Sequence, residues 1–298
     1  MTAMLRITRD LVYGTGRIGC SGTSRSRPLT LDLYQPGDCR PGDRRPALVM
    51  AFGGAFHRGD KRADEFEQGG QRNTPVATYC ARFAERGFVA ASIDYRLVQE
   101  DPDPGTTPVI GDPDAVPMSR VAQVRGLLGL PPITPRVLCA GIEAASDDFA
   151  LAFGWLREHA GALGIDPGRI AIGGFSAGAR SALNCGYGER VGAAALVSLS
   201  GFMASDDLAR HLVPGRGLPP ALLVTAGQDL DYVAAQAQPM QAALAAAGID
   251  CEAWLVPDAS HFYPAESIAQ RRDGARSTVE AAIAAFLARV LGPVLEQR

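Results

Sequence analysis

The stretch AIGGFSAGAR, residues 171–180, sets Ser176 between Gly174 and Gly178 directly after an apolar run. A serine hydroxyl does nucleophilic chemistry only when a base takes its proton, because an alkoxide is unattainable at neutral pH. The base in turn needs an orienting acid. The G-x-S-x-G pattern alone decides little: with 34 glycines and 14 serines in 298 residues, about 0.2 matches arise by chance. The decision rests on what else the chain supplies.

Four histidines are available as base. His159, in WLREHAG, reads as a surface residue of a helix, and His211, in DDLARHLVPG, as a solvent-exposed one. His57 follows FGGAF and is a minor candidate for lining a pocket. His261, in VPDASHFYP, follows the last apolar strand pattern, where open α/β sheets carry functional side chains. It is the expected base. The acid is expected after the preceding strand, where AGQDLDYV offers Asp229 and Asp231. Asp231 serves equally well as a helix cap, and Asp229 is preferred. An oxyanion also needs donors, and AFGGAFHRGDK is a glycine-rich turn whose backbone N–H groups can point inward.

These residues need strands to carry them. PALVMAFGG, FVAASIDYR, RIAIGGFS, GAAALVSLSGF, ALLVTAG and CEAWLVP are near-continuous apolar runs, as expected for strands covered on both faces of a parallel sheet. LVYGTG and RPLTLDLYQPG read as a leading antiparallel pair. Helical patterns fall at 76–87, 146–164, 233–248 and 276–292, with Ser146 as an N-cap and Gly164 as a C-terminal stop. The expectation is a single α/β domain over 1–298, with a mostly parallel eight-stranded sheet and helices on both faces. Residues 98–141, rich in Pro, Gly and Asp, break the rhythm and read as a lid-like insertion. Within it, SRVAQVRGLLG shows helical apolar spacing at Val121, Val124, Leu127 and Leu128.

RIAIGGFS followed at once by AGARSALNCGYG gives Ser176 a strand-to-helix turn, with small residues allowing the close approach such an elbow needs. Serine, aspartate and histidine then follow in that order, each after its own strand. Composition narrows the alternatives. A net charge of −3 without a long basic run argues against nucleic acid as a partner. No stretch approaches 18 apolar residues, so no membrane span is expected. The first residues lack an apolar run with a cleavage site, so no signal peptide and a cytoplasmic location are expected. Six scattered cysteines without metal spacing read as reduced thiols, with a Cys20–Cys39 bridge left open.

RPLTLDLYQP, FGGAFHRGDK, FVAASIDYRL, LGIDPGRIAIGGFSAGA, VTAGQDLD and VPDASHFYP together resemble the α/β-hydrolase superfamily. Within it they are similar to bacterial carboxylesterases of the hormone-sensitive-lipase and esterase/lipase-like group. The resemblance runs from about residue 27 to 264. It implies Ser176 as nucleophile, His261 as base, Asp229 as its partner, and the N–H groups of Gly54, Ala55 and Ala177 as the oxyanion hole. It implies no metal or organic cofactor. DYRL (Asp94 to Leu97) matches a structural segment of the family. The family's His-Gly-Gly is altered here: Phe52 stands at the histidine position, so the brace of the oxyanion loop must differ. The cap segments common in the family are short, which leaves 98–141 to shape the pocket.

The expected function is hydrolysis of small to medium uncharged carboxylic esters through an acyl-enzyme. The uncharged character is read from Val109, Ile110, Val116 and Met118, which stand beside several aspartates. The partners are then a small-molecule ester and water, with oligomeric state open. An amidase or arylformamidase, or a lactone or thioester hydrolase, would use the same triad. A ligand-binding protein on an inert hydrolase scaffold is the non-enzymatic alternative, disfavoured because all three triad residues are present.

Overall fold

The computed structural model describes residues 5–293. Its strands are β1 (Leu5–Ile18), β2 (Arg25–Pro36), β3 (Arg45–Ala51), β4 (Val89–Ile93), β5 (Ile165–Phe175), β6 (Ala195–Leu199), β7 (Ala221–Gln228), β8 (Cys251–Ser260), β9 (Ile268–Gln270) and β10 (Arg276–Thr278). They form one sheet in the order β1-β2-β4-β3-β5-β6-β7-β8-β9-β10. β1 with β2 and β2 with β4 are antiparallel. From β4 to β8 every neighbouring pair is parallel. β9 and β10 return antiparallel and extend the sheet beyond the eight strands expected. At three residues each they are too short for a periodicity to be read. A separate hairpin pairs Glu67–Gln68 with Gln71–Arg72.

The helices are α1 (Val76–Glu85), α2 (Ser119–Leu127), α3 (Pro135–Glu158), α4 (Ala177–Leu183), α5 (Ser205–His211), α6 (Asp231–Ala246) and α7 (Val279–Leu291). α1 packs on β2, β3 and β4, and α7 on β6 and β7. Arg82 of α1 and Arg86 just past its end clasp Glu280 of α7 at 2.7 and 2.6 Å. α3 and α4 pack on each other and on β5. With helices on both faces, β3 and β6 are buried throughout, which explains their unbroken apolar sequences.

Two expectations about helices are corrected. α3 begins at Pro135, so Ser146 is not its cap. Pro135 occupies the first turn, where a missing N–H costs nothing, and the Thr134 hydroxyl accepts from Val137 N at 3.3 Å. Ser146 is buried mid-helix, donating to Ile142 O at 2.8 Å and accepting from Asn184 Nδ2 at 3.1 Å. Residues 135–141 therefore belong to α3, and the irregular segment ends at Thr134. Gly164 does end the following short turn, at φ 73°. On α2, Val121 and Val124 are buried as expected, but Leu127 and Leu128 are exposed, and Arg120 and Arg125 take the inner positions. All six cysteines are free.

Where β5 meets α4 the backbone comes very close to β3. A Cβ on Gly178 would stand 2.0 Å from Ala51 O, and one on Gly174 2.5 Å from the Gly178 backbone. These contacts are backbone, so nothing flexible can yield. Gly178→Ala is expected to lower the unfolding free energy by about 1–3 kcal/mol or more, as overpacking does. Gly126→Ala, on the open face of α2, should instead raise it by roughly 0.5–1 kcal/mol. Chemical unfolding of the two variants checks both signs. An unchanged midpoint for Gly178→Ala would rule out the tight approach.

Candidate active site

Ser176 follows β5 with φ 53° and ψ −112°, a conformation an L-residue rarely adopts. Its N–H donates to Leu199 O at 2.8 Å, and its carbonyl accepts from Arg180 N at 2.9 Å. The turn thus lifts the hydroxyl above the strand ends. Ser176 Oγ lies 2.8 Å from His261 Nε2, and His261 Nδ1 lies 2.5 Å from Asp229 Oδ1. Asp229 comes directly after β7 and His261 directly after β8, so all three stand at the C-terminal edge of the parallel strands. Asp231 opens α6 and faces solvent.

The carboxylate fixes the tautomer. An ionised Asp229 only accepts, so His261 Nδ1 carries the proton and Nε2 is free to accept from Ser176. Burial pushes the Asp229 carboxyl upward, but bonds from His261, Ser200 and Ala226 N–H outweigh it and hold it below the usual range. Ser200 donates to Asp229 Oδ2 at 2.6 Å, and Ala226 N and Leu230 N donate at 3.0 and 2.8 Å. The Tyr263 hydroxyl lies 3.1 Å behind Ser200 Oγ. Sequence reasoning missed Ser200. Its place directly after β6, on the same edge as the others, was the available signal.

The loop after β3 runs through three residues of positive φ: Gly54 (116°), Ala55 (57°) and Phe56 (62°). A Cβ on Gly54 would sit 2.0 Å from Arg58 O, so this position requires glycine. Ala55 and Ala177 line the pocket beside Ser176, while Gly54 stands one residue back. Ala177 is the first residue of α4, where an N–H has no intrahelical acceptor. The loop is braced from several sides. Phe52 stacks on Tyr95 at 4.2 Å, and the Tyr95 hydroxyl donates to Phe52 O at 2.8 Å.

His57 is a second brace, and it is not among the pocket-lining residues. It is buried, with Nδ1 2.7 Å from Ala55 O and Nε2 2.8 Å from Arg125 Nη1. Arginine only donates, so Nε2 accepts and Nδ1–H donates to Ala55 O. Burial and the neighbouring Arg125 keep this imidazole below its ordinary value, and it stays neutral. His159 is half-buried, stacked on Trp155 at 4.4 Å. His211 is not solvent-exposed as expected: it is buried, with Nε2 2.7 Å from Val109 O, because α5 packs beneath the irregular segment.

That segment walls the pocket above Ser176. Ile110, Val116 and Val121 face it together with Leu138, Ile142 and Phe202. Val109 is buried elsewhere, against Gly188, and Met118 does not reach the wall. Among the described residues no three His, Cys, Asp or Glu side chains converge as a metal site would require.

Asp64 lies behind the loop that follows β3, fully buried, accepting from Val76 N at 3.0 Å. Burial pushes its carboxyl up to about 7, and the amides of Val76 and Gly53 only partly oppose it. In the unfolded chain it titrates near 3.8, so between these values the folded state holds the extra proton. The stability it contributes is full below about pH 4 and is lost as pH rises through about 7, by at most ~1.4 kcal/mol per pH unit. Asp64→Asn keeps an acceptor and cannot ionise, so its unfolding free energy should lack this decline. Parallel pH profiles for the two proteins would mean that Asp64 is already ionised in the fold.

No protein-family model matches the sequence, and no curated protein matches it. Among solved structures the chain is similar to esterase 2 of Thermogutta terrifontis. Against that protein phosphorylated by paraoxon, the TM-score is 0.63 at 20% identity, covering 100% of this chain and 98% of the other. Against its propionate-bound form the TM-score is 0.60 at 20% identity, covering 100% and 97%. Against its butyrate-bound form it is 0.60 at 20% identity, covering 100% and 96%. By sheet order and by these likenesses, the chain has the α/β-hydrolase fold.

Proposed function

We propose that the protein is a serine esterase that hydrolyses carboxylic esters of short acyl chain through an acyl-enzyme. The reading places it beside bacterial carboxylesterases of the hormone-sensitive-lipase and esterase/lipase-like group. The observation that carries it is the unbroken chain Ser176 Oγ–His261 Nε2, His261 Nδ1–Asp229 Oδ1 at 2.8 and 2.5 Å. Short acyl chains are inferred from the propionate- and butyrate-bound forms of the similar esterase.

In this mechanism Ser176 Oγ attacks the ester carbonyl carbon as its proton passes to His261 Nε2. Asp229 holds the imidazole and stabilises the imidazolium. The oxyanion faces the N–H groups of Ala55 and Ala177, with Gly54 shaping the turn. Removing one such donor typically costs about 3 kcal/mol of barrier. His261 then gives its proton to the leaving oxygen, releasing the alcohol and leaving acyl-Ser176. Water attacks the acyl carbon next, losing its proton to His261, and the acid departs as that proton returns to Ser176. Residues 98–134 act as the pocket's roof.

Intact-mass spectrometry after fluorophosphonate treatment should show one adduct on the wild type and none on Ser176→Ala. Turnover of p-nitrophenyl esters should peak at a short acyl chain and fall at least ~10³-fold in Ser176→Ala. An adduct on a different residue, or a Ser176→Ala variant that keeps its turnover, would sink the assignment. Ser200→Ala should lower kcat roughly tenfold, since a hydrogen bond that holds the charged Asp229 carboxylate is lost. An unchanged kcat would remove Ser200 from the positioning of Asp229.

A further inference from the structure

Two guanidinium groups face the pocket that holds Ser176, those of Arg120 and Arg180. Arg180 is neutralised by Asp207 at 3.0 Å. Arg120 is buried to 8% exposure, yet Nη1 donates only to two neutral amides, Gln68 Oε1 at 3.2 Å and Gln123 Oε1 at 2.5 Å. Among the described residues its Nε–Nη2 edge has no partner. That is the edge with which Arg62 grips the Asp32 carboxylate, at 2.6 and 2.8 Å. A buried charge is ordinarily paired, so an open guanidinium fork on a pocket wall points to a partner that arrives from outside.

A second cation stands close by. Arg120 lies 5.3 Å from the centre of the Phe262 ring, Phe262 lies 6.2 Å from Phe66, and Arg58 lies 4.3 Å over Phe66. Arg58 Nε is buried without a partner. Burial and the charge of Arg58 together hold Arg120 below its ordinary value, a repulsion that a bound anion would relieve. Among the described residues no carboxylate of the wall bears on Arg120. Asp207 is bonded to Gly111 N and Arg180, and Asp206 and Asp112 are its chain neighbours and those of Gly111. Arg120 belongs to the His261 end, since the Phe262 ring lies 5.2 Å from that of His261.

We propose that Arg120 anchors a carboxylate on the substrate, so that the ester is a hemiester of a dicarboxylic acid. The inference rests on the esterase reading and replaces the expectation of an uncharged substrate, which was read from the apolar residues of 109–118 beside several aspartates and left Arg120 out of account. Guanidinium takes a carboxylate through two parallel N–H···O bonds, and Arg120 has that edge free. Tyr232, also on the wall, is pushed up to about 12 by burial and therefore stays a neutral donor near the same group.

The test compares monoethyl succinate, glutarate and adipate with ethyl butyrate and ethyl pentanoate, for wild type, Arg120→Met and Arg120→Lys. At one chain length the wild type should favour the hemiester by roughly tenfold or more in kcat/KM. That ratio should collapse in Arg120→Met and return in part in Arg120→Lys. Fluorophosphonate labelling of Ser176 in each variant reports that the site is folded. Calorimetric titration with glutarate and with butyrate reads the anion site without turnover, and glutarate should bind roughly tenfold tighter in wild type only. If no ester is turned over but glutarate binds through Arg120, the esterase reading fails and the anion site stands. A wild type that favours neutral esters at every length, or a ratio indifferent to Arg120, overturns the proposal, as does glutarate binding no better than butyrate.

Discussion

A fully buried carboxylate stays ionised at Asp229 because four donors converge on it: His261 Nδ1, Ser200 Oγ and the amides of Ala226 and Leu230. Desolvation alone pushes it toward protonation, and a protonated carboxyl would no longer hold the histidine in the tautomer that accepts from Ser176. The rest of the site depends on that balance. It also explains why the sheet must be parallel in its centre. Only then do β5, β6, β7 and β8 end on one edge, delivering Ser176, Ser200, Asp229 and His261 to the same few ångströms.

The convergence is held against local strain. Ser176, Ala55, Phe56 and Ser200 all have φ between 51° and 62°, which costs each of these non-glycine residues on the order of 1 kcal/mol or more. They keep that geometry because well-packed structure leaves no alternative. Ser176 N–H is bound to β6, Ser200 N–H to Val224 of β7, and Phe56 O accepts from Val98 N. The close approach of Gly174 and Gly178 to Ala51 ties the Ser176 turn to the start of the 52–56 loop, backbone against backbone.

Much of this was legible in the sequence where a residue type has one dominant use. The apolar runs of β3 to β8 marked strands covered on both faces, and the glycines around Ser176 marked a forced turn. Legibility failed where one residue type serves two ends. Ser146 before Asp147 and Asp148 has the composition of a cap, but Thr134-Pro135 had already started the helix, and a hydroxyl can bond back to a carbonyl four residues earlier. Asp148 is likewise spent on Arg96, at 2.8 Å, and not on a helix terminus. His211 stands among polar neighbours yet is buried, because its bond to Val109 O depends on a chain segment 102 residues away.

α2 shows the deepest reason for such failures. Its inner face carries Arg120, Val121, Val124 and Arg125, so half of what it buries is charged and its apolar stripe looks weaker than its packing is. Both arginines are buried for reasons that lie outside the helix. Arg125 reaches His57, which holds Ala55 O, and donates to Pro131 O at 2.6 Å, fixing the segment over the pocket to the loop of Ala55. Arg120, rather more than one turn earlier, faces the pocket under that same segment. One short helix thus holds the loop of Ala55 through one guanidinium and turns another toward the pocket. Under the proposed mechanism, a shift of α2 would therefore alter transition-state stabilisation and substrate recognition together.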